Sequence, residues 1–98
     1  MSMTSNVASD VANSQDVDLH LGMLRKGDRA IIVGLSKPVG SEQLAIKTRL
    51  LELGFAPGEK IHVVAESFPR RDPMAIRIGN TTFALRRREA SLVRIARQ

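Results

Sequence analysis

The hydrophobic pattern of the chain changes period twice. Arg29-Ala30-Ile31-Ile32-Val33-Gly34-Leu35 is a β-branched run and predicts a first strand. After a loop containing Pro38 and Gly40, Ile46, Leu50 and Leu53 recur at i, i+4 and i+7, the spacing of one helix face. Leu44 and Leu51 lie seven apart beside that stripe. Ser41 or Glu42 is the expected start, giving a hydroxyl N-cap and an acid in the first turn. Gly54 is the expected stop, because glycine alone enters the left-handed region without a Cβ clash. Pro57-Gly58 then reads as a turn.

Period two returns over Lys60 to Ser67, with Ile61, Val63 and Ala65 on one face and His62, Val64 and Glu66 on the other. Met74 to Ile78 predicts a third strand. Gly79-Asn80 predicts a two-residue hairpin turn, and Thr81 to Leu85 the returning fourth strand. Arg86 to Ala90 reads as a short turn and Leu92 to Ile95 as the closing strand. Five short strands with tight connections and one inserted α-helix predict a mainly β fold, a small closed antiparallel barrel. Residues 1–20 are small and polar with isolated valines, and are expected to be a flexible N-terminal tail. The domain is expected to span residues 21–98.

Composition narrows the class. Ninety-eight residues suffice for one modest core, and with three Phe and no Tyr or Trp that core is aliphatic. Cysteine is absent, which excludes disulfides, thiolate metal sites and cysteine nucleophiles. No apolar run is long enough to span a bilayer, and the start of the chain lacks a secretory pattern. The expectation is a soluble cytoplasmic protein. Charge is divided unevenly. Residues 1–24 hold Asp10, Asp16 and Asp18 and no Lys or Arg, whereas the remainder sets fifteen basic residues against seven acidic ones. Such a domain suits an acidic partner, although a positive surface also serves solubility alone.

The residues argue against catalysis. No Ser/His/acid constellation has recognisable spacing, and Gly54-x-x-x-Gly58 lacks the Gly-Lys-Ser/Thr of a phosphate loop. Metal chemistry is thinly encoded. His20 and His62 are the only imidazoles. Asp18 and His20, two apart, would share a face in an extended chain. Asp18, His20 and His62 are therefore the weak candidates at which a divalent metal, iron or zinc, could bind adventitiously. No dedicated metal site or cofactor is expected.

One ordered series of motifs goes further. Leu24-x-x-Gly27-Asp28-x-Ala30-x-Ile32, Leu50-x-x-Leu53-Gly54-x-x-Pro57-Gly58, Asp72-Pro73-x-x-Ile76 and Ala84-Leu85-Arg86-x-x-Glu89-Ala90 follow one another over about residues 21 to 96. The series resembles the FeoA family. The resemblance implies an SH3-like barrel and a bacterial, non-catalytic accessory role in ferrous iron uptake. It also implies a partner, FeoB, a membrane transporter with a cytosolic GTPase domain, and so a cytoplasmic place peripheral to the inner membrane. The family often carries glycine before the Asp-Pro pair, where this chain has Arg71.

Binding is then the expected function. The candidate protein-binding residues are Leu53 and Phe55 after the helix, with Arg86, Arg87 and Arg88 as a charged rim. Each has a plainer reading: Leu53 and Phe55 as core, the arginines as a solvated turn. A polyproline groove is not expected without Tyr or Trp. The alternatives are a nucleic-acid-binding SH3-like module, poor in aromatics for stacking, and a regulatory domain of the metal-dependent repressor type, without the helix-turn-helix. Whether the chain forms a homodimer stays open at this level.

Overall fold

The computed structural model describes residues 19–98. The expectations for residues 1–18, Asp18 among them, lie outside that range. After a 3-10 turn at Leu21–Met23, the elements are β1 (Arg29–Leu35), α1 (Gly40–Leu53), β2 (Lys60–Glu66), β3 (Met74–Ile78), β4 (Thr81–Leu85), α2 (Arg87–Ala90) and β5 (Val93–Arg97). The strands form one antiparallel sheet in the order β4-β3-β2-β1-β5. Five antiparallel strands with one inserted helix are the SH3-like architecture the sequence predicts. β4 and β5 are the two ends of the ladder, and the short α2 carries the chain from one end to the other.

The core is aliphatic, as the composition implies. Ile32, Ile61, Val63, Met74, Ile76, Leu85, Val93 and Ile95 enter it from the strands. Leu21 and Leu24 join it from the 3-10 turn, Leu50 from α1 and Phe55 from the segment that follows α1. The Phe55 ring meets half-buried Phe83 at 5.6 Å between centroids.

The helix stop behaves as the sequence predicts. Gly54 is left-handed (φ 106°), its N–H donates to Leu51 O, and Phe55 N–H donates to Leu50 O. This is a Schellman arrangement, and it buries Leu50 and Phe55 together. The helix start is different. Gly40 is the first helical residue, and no side-chain hydroxyl caps it. The Val39 N–H instead donates to Gln43 Oε1 at 2.8 Å. The apolar positions of α1 also divide. Leu50 is buried and Ile46 and Leu53 pack against the core, but Leu44 and Leu51 are about half exposed on the opposite side.

Two bulges break the expected strand alternation. In β2 the register shifts between Val63 and Ala65, so Glu66 stands opposite Met74 and turns toward the interior while Ala65 is exposed. The extra residue of a bulge reverses which face each later side chain takes. β1 has a similar irregularity between Ile32 and Gly34, and Val33 is exposed there. The hairpin turn is as predicted, with the positive φ on Gly79 (59°).

Leu19 and His20, which precede residue 21, are joined to the fold. Leu19 packs against the core, its carbonyl accepts from Ile95 N–H at 3.2 Å, and His20 bridges to Arg94.

Candidate functional site

Of the three consecutive arginines, the middle one is structural. Arg87 begins α2, and its guanidinium turns inward, with its side chain 23% exposed. Nη1 donates to the carbonyls of Gly22 (2.9 Å) and Leu24 (2.7 Å), and Nε donates to Arg71 O (2.8 Å). Nη2 pairs with Glu66, the carboxylate that the β2 bulge turned inward. The Arg87 N–H donates to Asp72 Oδ1 at 2.9 Å. One residue thus clasps the 3-10 turn, the end of β2 and the 67–73 connection. The planar fork of guanidinium donors suits this many fixed acceptors.

The surroundings are shaped for the clasp. A Cβ on Gly22 would lie 2.8 Å from Arg87 O, so glycine permits the close approach of the 3-10 turn to α2. Arg71 is left-handed (φ 63°), the one non-glycine residue with positive φ among those described. That is the position where the resembled family often has glycine. The conformation presents the Arg71 carbonyl to Arg87 and its N–H to Ser67 O. Glu89 accepts from Arg86 N–H at 3.0 Å and pairs with Arg49 of α1 at 3.5 Å, joining the helix to the same corner.

These contacts redistribute the sequence candidates. Phe55 is fully buried and offers no surface, so its expected place in an interface is corrected to the core. Arg87 is corrected from rim to clasp. Arg86 and Arg88 remain exposed on either side of it. Leu53 is half-buried on the core-facing side of α1. Between α1 and α2 lies a cleft of about 160 Å³ lined by Glu42, Gln43, Ile46, Arg88 and Leu92.

The metal candidates do not converge. His20 stands outside β5, beyond which come β1 and then β2 with His62. His20 Nδ1 is buried without a hydrogen-bond partner, and its ring adjoins Gly22. His62 lies between Arg29 and Arg77 in the register, cationic surroundings that disfavour a divalent ion. Among the described residues no three His, Cys, Asp or Glu side chains gather where one ion could reach them.

A second, larger feature escaped the sequence reading. An open groove of about 810 Å³ runs over the outer side of the sheet, lined by Arg29, Lys60, His62 and Arg77 with Ile61, Gly79 and Gln98. Strand register assembles it, which no single stretch of sequence displays.

The FeoA domain family profile matches residues 19–97, which is almost the whole described fold. The chain belongs to the FeoA family. The solved FeoA of Stenotrophomonas maltophilia is 32% identical, with a TM-score of 0.69 over 79% of this chain and 88% of that one. That protein, crystallised with zinc, is described as a procaryotic SH3 domain protein and a candidate bacterial ferrous iron transport activating factor. Iron(II) transport protein A from Clostridium thermocellum is 35% identical, with a TM-score of 0.66 over 81% of this chain and 45% of that one. A manganese-dependent transcriptional repressor, 16% identical with a TM-score of 0.65, covers 82% of this chain and 41% of its own and shares the fold alone. No curated protein matches the chain in sequence. The chain is thus an SH3-like FeoA domain of a family associated with ferrous iron transport, and no helix among the described residues is long and apolar enough to cross a membrane.

Proposed function

We propose that this chain is a non-catalytic accessory protein of ferrous iron uptake. It acts by binding the cytosolic part of a FeoB-like GTPase transporter, which holds it at the cytoplasmic side of the inner membrane. The observation that carries this reading is the FeoA match across every described strand and helix. The candidate role of the Stenotrophomonas relative as an activating factor points the same way.

The contact surface is the α1–α2 cleft. Ile46 and Leu92 form its apolar floor, Leu53 continues the same helix side, and Arg88 with neighbouring Arg86 supplies the charged rim. An apolar floor governs the off-rate, while rim charges govern the on-rate and its salt dependence. The test is binding kinetics of the purified chain on the immobilised cytosolic region of the transporter, at low and high salt. The double change Arg86→Glu and Arg88→Glu is expected to slow association about ten-fold at low salt and to flatten the salt dependence. Equal rates at low salt would remove the arginines from the interface, and no binding by the parent chain would remove the partner. The purified chain is also expected neither to bind nor to hydrolyse GTP. Turnover abolished by a point substitution in this chain would overturn the non-catalytic reading.

A further inference from the structure

Arg29, His62 and Arg77 are direct cross-strand partners on β1, β2 and β3. Their chain neighbours Ala30, Ile61, Val63 and Ile76 are buried, so all three side chains lie on the outer side of the sheet. Lys60, two residues before His62, shares that side. Strand spacing places the Arg29 and Arg77 backbones about 10 Å apart, with Lys60 about 7 Å along β2 from the row.

Among the described residues the Arg29, Lys60 and His62 side chains have no hydrogen-bond or ion-pair partner, and the Arg77 side chain makes only a bond from Nε to the nearby Gly79 O. Asp28 and Glu59 adjoin Arg29 and Lys60 in sequence, yet neither lines the groove, and Asp28 is engaged with Arg25 N–H and Arg97. The two arginines flank His62 on neighbouring strands with Lys60 beside them, and like charges gathered on one side of a sheet repel. Among the described residues no acidic side chain lines the groove, which leaves these cations available to an external anion.

We propose that this groove is a docking site for an acidic segment of a partner protein, bound in an extended conformation. Charge complementarity selects an anion, and the spacing selects its form. Alternate residues of an extended chain are about 7 Å apart on one side, which matches the step from Lys60 to the Arg29–His62–Arg77 row. Guanidinium forks on both sides of the row take carboxylates in bidentate fashion. The lining contains no Phe, Tyr or Trp, so His62 is the one ring on which a nucleobase could stack, short of the successive aromatics of a single-strand platform. It contains no exposed apolar side chain to enter a bilayer, since Ile61 is buried. The site is separate from the α1–α2 cleft and stands whether or not that cleft binds a transporter.

The experiment is fluorescence anisotropy of a labelled eight-residue peptide alternating Glu and Ser, titrated with the full chain at low salt. The parent is compared with the triple variant Arg29→Gln, Lys60→Gln, Arg77→Gln. A charge-matched control, Lys26→Gln, Lys37→Gln, Arg70→Gln, removes three exposed cations elsewhere. The groove variant is expected to bind about ten-fold more weakly or worse, and the control within about three-fold of the parent. Circular dichroism and thermal melting establish that all three are folded. Equal losses in both variants would reduce the effect to net charge and overturn the proposal, as would absence of peptide binding by the parent. Tighter groove-dependent binding of single-stranded DNA or of phosphatidylglycerol vesicles than of the peptide would also overturn it, by giving the site a different occupant.

Discussion

Arg87 and the Arg29–His62–Arg77 row carry the same kind of charge and put it to opposite use. Around Arg87 the chain gathers three carbonyls and the Glu66 carboxylate onto one guanidinium. Around the row it gathers Arg29, Lys60 and Arg77 on neighbouring strands, and among the described residues no acidic side chain lines the groove. The acceptors differ because the backbone differs. Arg87 faces segments whose carbonyls are not committed to a ladder, and a bulge delivers a carboxylate to them. The row lies on the in-register stretches of β1, β2 and β3, away from the two bulges, where the backbone is engaged in the sheet. What an arginine does is therefore decided by the acceptors its surroundings leave free.

The comparison breaks most readily at the clasp. Arg87→Gln is expected to lower stability by about 2–4 kcal/mol, since it leaves Glu66 and several carbonyls short of partners. Arg87→Lys should recover less than half of that loss, because a compact ammonium cannot reproduce the planar fork. Urea denaturation of the parent and both variants measures this, and a loss under about 0.5 kcal/mol would place Arg87 with its solvated neighbours.

A smaller change sharpens the same side of the comparison. Arg71→Gly keeps the carbonyl that Arg87 uses and removes a Cβ from the left-handed region. The relief of about 1–2 kcal/mol is partly offset by the extra freedom of glycine in the unfolded chain. A net gain of up to about 1 kcal/mol is expected from the same denaturation curves. A loss would mean that the exposed Arg71 side chain contributes something its backbone does not.

The smallest effect belongs to the row. Arg29→Gln and Arg77→Gln, made singly, are expected to change stability by less than about 0.5 kcal/mol, with any shift upward and most visible at low salt. A marked destabilisation by either would show that the row supports the fold, and the contrast with Arg87 would disappear.

Much of this architecture is legible in the residues because local chemistry decides it. Gly54 must be left-handed to end α1, Gly79-Asn80 must turn the hairpin, and the aliphatic runs must lie in the sheet. Arg71 is legible as a departure from the glycine that the resemblance leads one to expect, and its positive φ is a conformation that glycine adopts without strain. The helix start was misplaced because Gln43 reaches back to Val39 from inside the helix, a contact that no N-cap preference at 41 or 42 foretells. Ala65 and Glu66 take sides opposite to those strict alternation predicts, because a bulge leaves no mark in a β-rich run. Phe55 read as a surface candidate because the Schellman turn that buries it against Leu50 depends on where the sheet passes. Arg87 was indistinguishable from Arg86 and Arg88 by type, and only the fold supplies its acceptors. The row of cations needed the β1–β2–β3 register, which strand alternation alone does not set.

The reach of the Arg87 clasp along the chain has a kinetic consequence. Its bonds to Leu24 and Gly22 join residues 63 and 65 positions apart, whereas the β3–β4 hairpin closes across two residues. Long loops are closed at an entropic cost that must be met before their contacts give anything back. The clasp is therefore expected to complete after the hairpins, on the native side of the folding barrier, which a φ-value near zero for Arg87→Gln would check. Interactions made there slow unfolding and leave the folding rate nearly untouched. Arg87 thus acts as a latch on the lifetime of the folded domain, and its removal is expected to steepen escape from the native state while the chain still folds at close to its original speed.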